Sequence, residues 1–190
     1  MARGDRKIKN SIKPKNVVAS DLVPDNSYTS KNVIFDFSSK TAFCSISYGD
    51  FNNYLKSAND YVEQFRTLMK NVGILSNYTL AALINGGSHK HCHKIEGDRE
   101  KLARSIIRKL FSDDRVYDQE IDAEELFQLG SQDGVRVIGI IKGNIFRVYF
   151  IDYFHDLCPD DRRNTRNTRN YKFCPIHGEL YSENIDDATS

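Results

Sequence analysis

The stretch VRVIGIIKGNIFRVYFIDY, residues 135–153, decides the fold. Val135 to Ile141 is a β-branched run, Lys142-Gly143-Asn144 reverses the chain, and Ile145 to Tyr153 returns. That pattern predicts a β-hairpin. In the returning strand Ile145, Val148, Phe150, Ile151 and Tyr153 make both alternating faces largely apolar. A strand apolar on both sides is central and helix-covered on at least one face. The hairpin runs directly into His155, Asp156 and an arginine-rich loop, so the functional end of the chain is expected there.

Moving outward, Leu126 to Leu129 reads as a further strand, followed by the tight-turn pair Asp133-Gly134. Near the N-terminus Val33, Phe35 and Phe37 alternate with Ile34 and Asp36, and Phe43 to Ser47 resumes the run, predicting a first hairpin. Between these lie helical patterns. Tyr54, Ala58, Tyr61, Val62, Phe65, Leu68, Met69 and Val72 recur every three or four residues, so a helix capped by Asp50 and stopped by Gly73 is predicted. A shorter helix, Asn77 to Ile84, follows. A third, capped by Asp98, buries Leu102, Ala103, Ile106, Ile107 and Leu110 and ends at Asp113-Asp114. The acidic stretch Asp118 to Glu125 reads as a solvated connection or a short helix. The order β-β-α-α-(α)-β-β-β predicts an α+β domain over residues 33–157, an antiparallel sheet with a helical hairpin and an extra helix packed on it.

The flanks differ in composition. Residues 1–32 are rich in Lys, Asn, Ser and Asp and carry too few large apolar groups to offset the entropy of ordering, which predicts a flexible arm. Residues 158–190 form a basic and polar tail. The formal net charge of +1 means that any nucleic-acid contact must come from local clusters and not from bulk charge. No apolar run reaches about 18 residues, so no membrane partner is expected. The basic N-terminus lacks an apolar core segment, which predicts a cytoplasmic protein. In that setting the widely spaced Cys44, Cys92, Cys158 and Cys174 read as thiols or metal ligands and not as disulfides.

Three constellations carry chemistry. The first joins Arg136 and Arg147 on the hairpin with His155, Asp156, Arg162, Arg163, Arg166 and Arg169. Arginine grips phosphate through a planar fork of donors, and histidine moves protons near neutral pH. RNA cleavage by attack of a 2′-hydroxyl needs both. The same arginines equally suit a solvated loop, with His155 as a capping residue.

The hairpin from Val135-Arg136-Val137 through Gly143-Asn144 to Tyr153-Phe154-His155 resembles the C-terminal hairpin of the RelE/ParE toxin superfamily. There an arginine opens the first strand and a long apolar strand ends at a polar catalytic or phosphate-binding residue. The preceding order of strand, helical hairpin and strands is also similar. The topology is matched over roughly residues 33–163, and the chain adds a segment from Ser88 to Glu125. The resemblance implies a RelE-like fold and a bacterial toxin-type endoribonuclease, metal-independent, acting on RNA, which can be ribosome-bound messenger, and neutralised by an antitoxin protein. It implies that Arg136 holds phosphate and that His155 is an acid or base, with Arg147, Arg162, Arg163, Arg166 and Arg169 as nucleic-acid contacts.

The second constellation is His155-x2-Cys158 and Cys174-x2-His177, with fifteen residues between the inner pair. Two such ligand pairs match a structural zinc site that closes the arginine-rich loop. This reading competes with the first, because a metal-bound imidazole cannot also act as a free base. The third is His89, His91, Cys92 and His93. Adjacent Cys92 and His93 rarely point at one ion, so His89 and His91 are better taken as further catalytic candidates. The rival reading of the whole chain is a non-enzymatic, phage- or mobile-element-encoded interaction protein that binds nucleic acid or a protein partner, with a structural zinc site in its tail.

Overall fold

The computed structural model describes residues 31–85, 89, 91–159 and 167–179. Nine strands and four helices are formed there: β1 Ile34–Asp36, β2 Ser47–Tyr48, β3 Phe51–Asn52, α1 Ala58–Leu75, α2 Leu80–Asn85, β4 His93–Lys94, α3 Gly97–Phe111, α4 Asp114–Glu120, β5 Phe127–Gly130, β6 Arg136–Lys142, β7 Ile145–Asp152, β8 Phe173–Cys174 and β9 Gly178–Glu179. The fold is α+β. Its centre is a five-stranded sheet in the order β1-β7-β6-β5-β4.

The hairpin that the sequence announces is the middle of this sheet, with Gly143 at φ 65° in its turn. Its register is interrupted once. Ile138 faces Phe150 and Gly139 faces Val148, so Tyr149 is the extra residue of a β-bulge. The bulge lets the neighbours Tyr149 and Phe150 both join the cluster with Ile106, Ile107, Phe111 and Tyr117 of α3 and α4. Phe146, Val148 and Ile151 pack on the other face with Leu68, Leu75, Leu80 and Leu83 of α1 and α2. Helices thus cover both faces, which is why β7 reads as largely apolar on both. Gly139 is needed at the bulge because a Cβ there would lie 1.9 Å from the Arg147 carbonyl oxygen.

The sheet is mixed and not antiparallel. β1 pairs in parallel with β7, Phe35 opposite Phe146 and Asp36 opposite Arg147. The predicted pairing of residues 33–37 with 43–47 does not form. β7 offers an unfilled edge, and the Asp36–Arg147 ion pair at 2.9 Å fixes β1 on it. Residues 43–46 instead run as a loop anchored by Asn53, fully buried, whose Oδ1 accepts from Ile46 N at 2.7 Å and whose Nδ2 donates to Ile151 O at 2.8 Å.

The helix boundaries move for local reasons. Gly49, at φ 61°, turns β2 into β3 and uses up the residues after Asp50. Helix α1 therefore starts later, with Ser57 Oγ accepting from Asp60 N and the Asp60 carboxylate accepting from Lys56 N. It runs through Gly73, because Leu68 and Leu75 are buried on either side of it. Asp113 caps α4 instead of merely ending α3, accepting from Arg115 N. The tail segment 167–179 docks on the core, with Leu55 and Phe173 exchanging both backbone hydrogen bonds at 2.9 Å. Among the described residues no helix is long and apolar enough to cross a membrane.

Candidate functional site

Strand register brings the candidate residues to one end of the sheet. Gly130 of β5 faces Arg136 of β6, and Arg136 faces Asp152 of β7. Just before β4, Cys92 Sγ donates to Gly130 O at 3.3 Å. The row therefore reads Gly130, Arg136, Asp152, with Cys92 joined to Gly130 through its side chain. The Arg136 side chain lies across Gly130, where a Cβ would collide with its Cδ. Arg136 is 3% exposed, and its guanidinium donates to Asp133 O and Val135 O, binding the β5–β6 loop to the sheet.

Asp152 is fully buried and organises the turn that follows β7. Its carboxylate accepts from Phe154 N at 3.2 Å, Asp156 N at 3.0 Å and Leu157 N at 2.8 Å. Burial pushes this carboxyl up, against the pull of those three donors and of Arg136. The turn carries His155 in the left-handed region at φ 63°. There its ring lies 6.2 Å from that of His91, centroid to centroid, at 88°. Next to it, burial and the neighbouring Asp152 carboxyl push Asp156 up to about 6, while the Thr168 hydroxyl, 3.4 Å away, opposes the shift. Burial also raises the Cys158 thiol, with Arg99 acting in the opposite sense.

Two imidazoles and a carboxyl that protonates near neutrality can donate and accept protons within one short span. Of the four residues expected to be catalytic, His91, His155 and Arg136 share this end. His89 does not join them, since its ring packs on Tyr78 at 4.5 Å. Arg147 stands toward the other end of β7, paired with Asp36. Arg169 is exposed, 3.7 Å from Asp50. Arg162, Arg163 and Arg166 lie outside the described residues. Residues on either side of that gap do meet, through the bond between Thr168 and Asp156.

The four residues with zinc-like spacing divide into two places. Cys174 Sγ and His177 Nδ1 are 3.4 Å apart, and Cys174 Sγ also accepts from Ser45 N at 3.4 Å. Cys158 packs with the α3 and α4 cluster, and His155 faces His91. Among the described residues no group of three or more His, Cys, Asp or Glu side chains is arranged to hold a metal ion. Sequence reasoning passed over Asp152 and Arg99. A lone carboxylate between Ile151 and Tyr153 in an apolar strand was the available signal for Asp152, while Arg99 carried none.

Comparison with known proteins gives three results. Residues 37–180 match the family described as Uncharacterised protein UU032. The chain is similar to the Uncharacterized protein UU032 of Ureaplasma parvum serovar 3, 27% identical over 151 residues covering 72% of this chain and 82% of that protein. No solved structure matches.

Proposed function

The chain belongs to the family described as Uncharacterised protein UU032, and for it we propose a toxin-type endoribonuclease activity that cleaves RNA by metal-independent acid–base chemistry. The observation that carries this reading is the His91–His155 pair at 6.2 Å, held at the sheet end beside Asp156. One imidazole takes the proton of the attacking 2′-hydroxyl while the other protonates the leaving oxygen. With β2–β3 and the β4–α3–α4 segment set aside as additions, the order β1, α1, α2, β5, β6, β7 also supports a RelE-like toxin, whose protein partner is an antitoxin.

The burial of Arg136 redefines its part in this scheme. With its guanidinium on two loop carbonyls, it positions the β5–β6 loop, and phosphate contact falls to the arginines that follow Asp156 in the chain. That same burial favours the second reading, a non-enzymatic protein that binds nucleic acid or a protein partner. Structural zinc in the tail then rests on Cys174 and His177, the pair found together.

Purified full-length protein incubated with RNA separates the readings. Cleavage that falls about a hundredfold or more in His155→Ala and in His91→Ala, with folding intact by circular dichroism, is the expected result. Intact RNA, together with no growth arrest on expression, sinks the nuclease. About one equivalent of zinc, lost in Cys174→Ser, would establish the tail metal site independently of that outcome.

A further inference from the structure

A cleft of about 320 Å³ lies well away from the His91–His155 pair. Arg147 on its wall and Asp152 are five residues apart on β7, which at strand rise is roughly 16 Å. The wall is built from the turn after β1. Ser38 N donates to Asp36 Oδ1 at 2.8 Å, and the Thr41 hydroxyl donates to Tyr149 O at 2.8 Å, a buried bond. Ser39 Oγ is 2.9 Å from Thr41 Oγ1, and Ala42 N donates to Ser39 O at 3.1 Å. Ser38, Ser39 and Lys40 therefore reach the cleft from a turn whose backbone is already fixed.

Charge and shape then define the ligand. Arg147 Nε is held by Asp36 at 2.9 Å, which sets the guanidinium plane at the cleft. The Lys40 ammonium makes no ion pair among the described residues and stands 5.9 Å from the centre of the Phe111 ring. The hydroxyl protons are already given within the turn, Ser39's to Thr41 and Ser38's to Asp36, so the two cations that line one space are what suits a phosphate monoester. The cleft's apolar lining is the part-buried Val116, with Phe111 only 3% exposed. Glu120 lines the same cleft, 3.5 Å from the Tyr149 hydroxyl. A carboxylate repels a bare anion but accepts from an amino group. The volume sits at the small end of ligand pockets, which run from about 300 to 1,000 Å³. That leaves room for one nucleotide and not for two.

We propose that this cleft is a binding site for a nucleoside monophosphate whose base carries an exocyclic amino group, with Lys40 and Arg147 on the phosphate and Glu120 on the amino group. The group is supplied either by a free nucleotide or by the 5′-phosphorylated end of a nucleic acid. The site is independent of the nuclease reading, since none of its residues belongs to that end of the sheet.

Isothermal titration of the full chain tests it, using AMP, UMP, inorganic phosphate, and a short RNA with and without a 5′-phosphate. The expected result is one saturable AMP site, with UMP and inorganic phosphate each weaker by about tenfold or more. Lys40→Ala should lower AMP affinity about tenfold, and Glu120→Gln should narrow the preference for AMP over UMP. Lys40-dependent binding of the 5′-phosphorylated RNA in preference to the 5′-hydroxyl form would assign the source as a nucleic-acid end, whereas AMP binding alone would assign a free nucleotide. No AMP binding at millimolar concentration by folded protein, or binding unchanged in Lys40→Ala, would overturn the proposal.

Discussion

The two ends of β7 solve opposite problems with the same kinds of residue. At Asp152 a carboxylate is sealed from water, takes three backbone donors and sits opposite a buried arginine. At Arg147 an arginine and a carboxylate meet at 2.9 Å with their side chains 41% and 20% exposed, beside an open cleft. The first arrangement fixes backbone. The second leaves its charges part-exposed to water. What separates them is water, because desolvation turns a charged side chain from a binding group into a structural one.

The comparison can be broken most forcefully at its buried end. Asp152→Ala strands three N–H groups and leaves Arg136 without its facing carboxylate, so urea unfolding should show a loss of about 3–5 kcal/mol, partly recovered in Asp152→Asn. A loss under about 1 kcal/mol would mean that the turn holds itself. A smaller effect comes from Asp156, whose carboxyl, at about 6, stands above its ordinary 3.8. The folded state holds that proton more tightly than the unfolded chain does, so the stabilisation is complete below about pH 4 and is lost as pH rises through 6. Thermal melts of Asp156→Asn should show a shallower decline, the part that remains coming from the raised Asp152 carboxyl. Least affected should be Asp36→Asn, which removes a part-exposed ion pair and should cost at most about 1 kcal/mol by urea unfolding.

The parts of the fold that depend on neighbours in sequence were readable. The central hairpin forms as Arg136–Lys142 and Ile145–Asp152, close to its predicted ends, because alternation and a Gly-Asn turn are local properties. Helices α1 and α3 follow their apolar stripes. The parallel seat of β1 was hidden, since it depends on an edge formed more than a hundred residues later. So was the burial of Arg136, which is set by Gly130 across the strand and not by its own neighbours. At the candidate site His155 was legible as the end of a strand, but its approach to His91 is a product of sheet order. The bulge at Tyr149 had an indirect signal in the loss of polar alternation along β7, which fits a two-sided core equally well.

The parallel seat of β1 also sets a schedule. Asp36 and Arg147 are separated by 111 residues, and β1 has only three. Closing so long a loop for so short a strand costs chain entropy before it returns any contact. On the ribosome the first strand is therefore made early and used late. It waits, with Phe35 lacking its contact to Phe146, until β7 has cleared the exit, and the sheet is completed by its oldest segment.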